Sequence, residues 1–341
     1  MENLNLFWQY VHTMYAETIT YNINMLNEGA NGAIILDSER ARKMEGGIRQ
    51  WDFFAYTEDL IRRRNPVGNA PLILKELENK MDNAIRLAFT TELLDLSTNV
   101  WHWIGRDPVI AARKFNEMLA TQRIEEYLKR SFSILKATVG SNPSTFRDAT
   151  THTDATKRTM SQRNLILTAN KFGDRASEIR TWLMPTGART EMLLDNLKNV
   201  EHLFTFGTVN GYRDAEGRTI ITTDDPNLID ITGVAPDEVV NYWAFGLRSM
   251  AIRISEQDDF EEAYGTSTGT ENIRKTYQAN WSTAFDVYGY KFDAAQLTGA
   301  ANKFTSASDS AIATPNNWSQ VENNHKRTAG VALKALAMTD L

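Results

Sequence analysis

One long, uninterrupted helical pattern constrains the fold of this chain more than any other feature. Between residues 108 and 139 the side chains Val109, Ile110, Phe115, Met118, Leu119, Ile124, Tyr127, Leu128, Phe132, Leu135 and Val139 recur at helical spacing. Asp107 is placed to cap the first turn, Pro108 suits the first helical position, and Gly140 suits the stop. Glu125 with Lys129, and Glu126 with Arg130, are correctly ordered i, i+4 pairs for the exposed side. At 1.5 Å per residue such a helix spans about 45–50 Å, longer than a small domain is wide. A rod of that length serves as a scaffold, which points to a chain built for its shape and its neighbours rather than for a pocket.

The 341 residues suffice for one large domain or for two to three subdomains. With 42% hydrophobic and 23% charged residues the composition is that of a folded soluble protein. The net charge of −6 gives no bulk attraction to nucleic acid or to an anionic membrane, although a locally basic inner surface stays compatible with it. The absence of cysteine excludes disulfides, thiolate metal sites and cysteine nucleophiles. Residues 1–9 lack a basic region, and no apolar run matches a signal peptide or a membrane span, so the chain is expected to be used without export and without a membrane. Eight Trp, 11 Tyr and 15 Phe suit a packed core and equally suit extensive subunit contact.

Residues 3–27 read as an amphipathic helix or an extended arm, followed by a turn-rich break at 28–32 and a polar stretch at 34–47. Strand-like patterns occupy 48–56 and 83–96, and together 48–96 reads as a two-stranded excursion placed before the long helix. A lone hairpin is marginal in water, so a cover from a neighbouring chain is expected. After Gly140 comes a Ser/Thr-rich linker, 141–159. A helix at 161–172, a strand at 178–184, a helix at 186–204 and a hairpin at 208–223 follow. Residues 242–254 read as one apolar strand. The best strand pattern of the chain is 277–287, where Tyr277, Ala279, Trp281, Thr283, Phe285 and Val287 alternate with polar or small residues. Residues 328–337 suit a closing strand or helix. Helices and strands mix without regular alternation, which points to α+β.

Catalytic and metal-binding constellations are sparse. His12, His102, His152, His202 and His325 are never three or four residues apart, as a helical zinc pair requires. No GxGxxG and no GxxxxGK[ST] phosphate loop occurs, so no cofactor is expected. The acid pairs Asp224-Asp225, Asp258-Asp259 and Glu261-Glu262 lack calcium-loop spacing and read as solvated turns. Gly265, Ser267 and Gly269 match the GxSxG of serine hydrolases, and Asp293 and His325 follow in hydrolase order. That motif needs a buried strand before it and a helix after it. Here an acidic run precedes it and the GTSTGT composition is that of a surface loop. Arg40, Arg42, Lys43, Arg49, Arg62, Arg63 and Arg64 make the N-terminal part locally basic, as a solvated face or as a contact for an acidic patch on another copy.

The order of parts, and several strings within it, resemble the major capsid proteins of tailed bacteriophages, with their Hong Kong 97-type fold. WIGRDP at 103–108 leads into the long helix, and KFGDRASEIRTWLMP at 171–185 resembles a helix-to-strand passage of that family. DAEGRTIITTDDPNL at 214–228 is similar to its hairpin and turn, EQDDFE at 256–261 and ENIRKTYQANWSTAFDVYGYKFD at 271–293 to its peripheral strands, and ATPNNW at 313–318 to its C-terminal loop. The resemblance covers most of the chain after about residue 48.

It implies an N-terminal arm at 1–47, an extended β-hairpin loop at 48–106 and a spine helix at 107–140. A mainly axial domain at 141–235 and the remaining peripheral domain with C-terminal strands at 236–341 follow. The implied function is a structural, non-enzymatic subunit that self-assembles into pentamers and hexamers of an icosahedral shell around double-stranded DNA. Its implied partners are other copies of itself, a scaffolding protein, a portal, a decoration protein and the packaged DNA. The implied location is the virion, with assembly in the host bacterial cytoplasm. No long, charged helical pre-domain precedes the arm, so scaffolding is expected from a separate protein or from a segment already removed. Three other readings stay open at this point: a cellular nanocompartment shell of the same fold, a hydrolase using Ser267, and a tail or portal component that forms a ring or tube instead of a closed shell.

Overall fold

The computed structural model describes residues 7, 10–11, 27–28, 30–41, 48–54, 79–96, 106–154, 157–195, 201–206, 209–213, 217–233, 238–257, 259–267, 274–297 and 306–338. In chain order, strands β1 (Ile34–Ala41), β2 (Ile48–Phe54), β3 (Asn79–Thr90) and β4 (Leu94–Leu96) precede helix α1 (Pro108–Thr138). Next come β5 (Phe146–Asp148), α2 (Gln162–Ala169), β6 (Thr181–Met184), α3 (Thr186–Asp195), β7 (Glu201–Phe206), β8 (Val209–Arg213), β9 (Thr219–Thr222) and β10 (Ile229–Thr232). The remainder is β11 (Val239–Leu247), β12 (Ile252–Gln257), β13 (Glu261–Ser267), β14 (Arg274–Val287), β15 (Tyr290–Phe292), α4 (Asp309–Ala313), β16 (Trp318–Gln320) and β17 (Gly330–Leu336).

The long helix forms as its sequence signals require. The Asp107 carboxylate accepts from the Ile110 N–H at 3.2 Å, and Pro108 opens the first turn. At the other end the Gly140 N–H reaches the Leu135 carbonyl at 3.0 Å. A Cβ at position 140 would stand 2.6 Å from the Lys136 carbonyl and 3.0 Å from the Trp243 ring, so close approach is what demands glycine there. The pair Glu126–Arg130 is made at 2.5 Å, and Arg130 also reaches Asp309 at 3.0 Å.

Two mixed sheets flank this helix. Among the described residues one has nine strands, with β14 at its centre: β14 pairs β12 and β13 along one edge and β3 and β4 along the other. The other has eight, in the order β5-β17-β11-β6-β9-β8-β7, with β10 beside β11. One continuous core joins α1, through Ile124, Tyr127, Leu128, Phe132 and Leu135, to Ile85, Leu87, Ile254 and Phe285 of the first sheet. The same core reaches Leu183, Ile221 and Phe245 of the second. A second core packs α2 and α3 on the opposite face of the eight-stranded sheet, with Trp182, Met184, Ile220, Ala244, Val331, Leu333 and Ala335. Each fully buried large side chain contributes about 1.5–3 kcal/mol.

Two polar contacts fasten α1 to the sheets. At the nine-stranded sheet the Tyr127 hydroxyl accepts from Arg123 Nε at 2.7 Å and from Thr283 Oγ1 at 2.9 Å, and donates to Glu256 at 3.1 Å. Arg123 also pairs with Glu256 at 3.1 Å and lies 4.5 Å from the Trp281 ring centroid. Burial raises the Tyr127 pKa far above the ordinary value, with Arg123 opposing and Glu256 adding to the rise, so the phenol stays neutral and its single proton goes to the carboxylate. At the eight-stranded sheet Asp230 takes Lys136 at 2.5 Å, Trp243 Nε1 at 2.7 Å and Lys334 at 3.2 Å.

Several expectations are corrected. The stretch 34–47, read as merely polar, contains β1, which runs parallel to β12 and buries Ile34 and Leu36. The Ser/Thr-rich stretch 141–159 contains β5, paired parallel to β17 through Ala332↔Phe146. Of the expected helix 186–204, Thr186–Asp195 is helix α3, residues 196–200 lie outside the described residues, and Glu201–Phe206 is strand β7, paired with β8. The expected single strand 242–254 is two strands, β11 and β12, one in each sheet. The ambiguous end is a strand, β17, antiparallel to β11. The alternation at 277–287 holds from Tyr277 to Asn280 and then fails, because Ser282, Thr283, Ala284 and Phe285 are all buried.

Removing the Arg123 guanidinium strands Glu256 and the Tyr127 hydroxyl in the core. We expect Arg123→Ala to cost about 3–5 kcal/mol in denaturant unfolding of the subunit. Gly140→Ala should cost about 1–3 kcal/mol in the same measurement, through overpacking alone.

Candidate assembly site

The two-stranded excursion is rooted in the subunit's own sheet. β2 and β3 pair antiparallel from Ile48↔Ile85 to Phe54↔Asn79, as the sequence pattern anticipates. β3 then pairs with β14 from Ile85↔Phe285 to Thr90↔Asn280, so its base is covered by the same chain. Asn83 behaves like one more strand residue: its Nδ2 donates to the Phe292 carbonyl at 2.8 Å and its Oδ1 accepts from the Phe292 N–H at 2.9 Å. Arg86 reaches Asp259 at 2.7 Å and Ser282 Oγ at 2.8 Å. Asp259 also accepts from the Ser282 N–H at 2.9 Å and from the Ser282 hydroxyl. Burial alone would raise the Asp259 carboxyl, but the Ser282 hydrogen bonds and the Arg86 charge outweigh it and hold it below the usual carboxylate range.

Around this root the surface is shaped for contact. A cleft of about 450 Å³ lies between α1, β3 and β14, lined by Phe89, Leu94, Leu119, Phe260, Tyr277 and Trp281, with Arg123 in its wall. A second groove of about 680 Å³ runs beside α1 and carries Glu125, Glu126, Asp224 and Asp225 against the single cation Lys129 among its lining residues. Exposed apolar side chains include Leu93 at 63% and, on the first three turns of α1, Val109 at 38%, Ile110 at 51% and Met118 at 43%. The same turns pack Ala111 and Ala112 on Phe7 and Val11, where Asn116 Nδ2 donates to the Val11 carbonyl at 2.9 Å.

The residues singled out for chemistry are dispersed into structural roles. Gly265 and Ser267 lie on β13, paired with β14 through Gly265↔Thr276 and Ser267↔Arg274, which corrects the surface-loop reading for 265–267. A Cβ at 265 would stand 2.5 Å from Thr276 Oγ1, so the glycine serves strand packing. Gly269 lies outside the described residues. Asp293 caps its own turn by accepting from the Ala295 N–H, and His325 Nε2 contacts the Lys171 carbonyl at 3.1 Å. His152 Nδ1 accepts from the Asp154 N–H. His12 and His102 lie outside the described residues, as does the side chain of His202. Asp224 accepts from the Thr186 N–H, and Asp225 caps the turn at Asn227. Asp259, read as part of a solvated turn, is instead the half-buried partner of Arg86, and Asp258 lies outside the described residues. Arg42, Lys43, Arg62, Arg63 and Arg64, and the side chains of Arg40 and Arg49, also lie outside the described residues. No helix is long and apolar enough to cross a membrane, and no group of three or more metal-ligating side chains occurs among the described residues.

Arg86 and Asn83 were not singled out from sequence. Their signal was present: both are polar residues inside a strand pattern whose apolar positions, Ile85 and Leu87, face the core.

Comparison with known proteins bears on this geometry. The profile of the Gp13-like family, described as major capsid protein 13-like, matches residues 3–332. No curated protein matches the chain. Among solved structures the chain is similar to the capsid of Ralstonia phage GP4, at 9% identity and a TM-score of 0.52, covering 92% of this chain and 89% of that one. The cyanophage Pam1 capsid matches at 10% identity and a TM-score of 0.48, covering 90% and 89%. The head of Helicobacter pylori bacteriophage KHP40 matches at 8% and 0.48, covering 91% and 88%. The first of these carries the fold comparison, because it extends over nearly the whole of both chains.

If the root is as described, Asp259→Ala should loosen β3 from β14 and lower unfolding stability by about 1–3 kcal/mol. Ser267→Ala, on strand β13, should leave stability within about 0.5 kcal/mol of the parent. Thermal denaturation of the two variants side by side checks both.

Proposed function

This chain belongs to the Gp13-like major capsid protein family, and on that premise we propose how its parts build a shell. It is a structural capsid subunit of a tailed bacteriophage with the Hong Kong 97-type fold, and it works in many copies as part of the virion. The observation that carries the reading is the family match over residues 3–332 together with the rooted excursion and the long helix.

In our reading the chain divides into an arm at 1–47, an extended loop at 48–106, a spine helix at 107–140, a mainly axial domain at 141–235 and the rest of the peripheral domain at 236–341. Copies join through heterologous contacts that close into pentamers and hexamers, since only closing rotations give a finite shell. Each contact is modest, and many act at once. The excursion reaches from its root toward a neighbouring copy, where the exposed apolar residues Leu93, Val109, Ile110 and Met118 gain cover. The interior meets double-stranded DNA through scattered Arg and Lys without base readout. Assembly takes place in the host bacterial cytoplasm with a scaffolding protein and a portal, and a decoration protein binds the outside. The subunit has no catalytic role. Membership of a phage capsid family disfavours a nanocompartment shell, and the position of Ser267 on β13 disfavours a hydrolase.

Replacing residues 55–78 by a short turn keeps β2, β3 and their root. Loop shortening costs little in stability, so the variant should unfold like the parent. By negative-stain electron microscopy, with scaffold present, it should give no closed shells where the parent gives them. Normal particles from the shortened chain would refute the assignment of 48–106 as the assembly loop. A parent chain that stays monomeric with and without scaffold would refute self-assembly itself.

A further inference from the structure

The two faces of the nine-stranded sheet differ in chemistry. Ile85, Leu87, Phe285, Ile252 and Ile254 face α1 in the main core. The alternate residues of β3, β12 and β14 face the other way. On that second face Ala84 and Ala284 pack together, both nearly buried. To one side of them sits the Arg86–Asp259–Ser282 cluster. To the other sit two carboxyl groups, Asp82 of β3 and Asp286 of β14. The register Ile85↔Phe285 brings Asp286 beside Ala84 and diagonal to Asp82, a separation across which side chains interact.

Arg49 of β2 stands in register with Ala84 next to this pair, and its side chain lies outside the described residues; the described cations do not neutralise the pair well. Arg253 opposes Asp286 from β12, and Lys291 of β15 acts on Asp82, but both cations are exposed and therefore screened. Lys80, two residues from Asp82 on the same face of β3, and Arg253 each have contacts of their own. Asp82 accepts from the Asn83 N–H at 2.8 Å. The Asp286 Oδ1 is buried and has no hydrogen-bond partner among the described residues. An ionised carboxylate so placed is costly, and a neutral one is not.

We propose that Asp82 and Asp286 are a pH-responsive clasp at the root of the excursion. Mild acid locks β3 onto β14, and neutral pH loosens that junction while the eight-stranded sheet stays unchanged. The direction of titration agrees. Burial first, and then the charge of Asp82, push Asp286 up to about 7 against the pull of Arg253. Burial pushes Asp82 up to about 6 against the Asn83 N–H and Lys291. Both folded-state values lie above the ordinary carboxylate value. The stabilisation is therefore fully present below about pH 4 and is lost as pH rises through 6 to 7.

The test is hydrogen–deuterium exchange of the full-length chain at about pH 5.5 and about pH 7.5, with rates corrected for the intrinsic pH dependence of exchange. In the parent, amides of β3 should be protected about tenfold more at the lower pH, and those of β17 equally at both. Asp286→Asn and Asp82→Asn should each narrow that pH difference, since each leaves the other carboxyl buried, and the double variant should remove it. Equal protection of parental β3 at both pH values would overturn the clasp. So would variants that keep the parental pH dependence, or a β17 that loosens in step with β3. Should Asp286→Asn fail to fold, Asp82→Asn decides alone by the same criteria.

Discussion

The helix α1 positions both sheets, and it does so through two polar contacts separated by the turns between Arg123 and Lys136. Thirteen residues at 1.5 Å place them about 20 Å apart along one rod. Leucine and phenylalanine packed on a sheet tolerate small slides. Arg123 against Glu256 and Tyr127, and Lys136 against Asp230 and Trp243, do not, because a shift strands a desolvated carboxylate. The apolar core supplies the bulk of the attraction, and these two contacts set its register. The distance between the sheets then follows from the helix itself.

From that frame the excursion takes its direction. β3 is the outer neighbour of β14, and β14 is fixed to α1 through Thr283 and Phe285. Asn83, Arg86 and Asp259 extend the fixation along β3 as far as Phe292. A shell subunit needs this combination. Its reaching element must start from a rigid root, while the surfaces that receive a neighbour must stay apolar and uncovered in the single chain. The carboxyl pair that we propose as a clasp lies on the outer face of the same root.

The elements legible in the sequence are those whose cause is local. The cap Asp107, the start Pro108 and the stop Gly140 lie within a few residues of the groups they satisfy, and the helix ends where they indicate. The strands read at 48–56 and 83–96 announce themselves by aromatic and β-branched residues and by alternation, although the second begins at Asn79 and is split into β3 and β4. Elsewhere the pattern misled for identifiable reasons. In the eight-stranded sheet both faces are covered, so β11 and β17 are mostly apolar and lack a period that separates strand from helix. Leu193 and Leu203 share helical spacing, yet Glu201–Phe206 finds a partner in β8 and becomes a strand. β5 has only three residues and exists because the edge of β17 offers it hydrogen bonds. Asp259 looked like a turn acid because its partner Arg86 is 173 residues away in the chain.

By itself the sequence determined the length and ends of α1, the presence of the excursion, the absence of thiol chemistry and, through the order of its strings, the family. All of these depend on groups near one another in the chain, or on composition. Only the tertiary structure decided which strands share a sheet, that the excursion is rooted on β14, that Gly265 and Ser267 are strand residues, and that Asp82 and Asp286 meet. Those outcomes follow from pairings across long stretches of chain, where backbone hydrogen bonds and buried charges find their partners only once α1 has brought the two sheets into place.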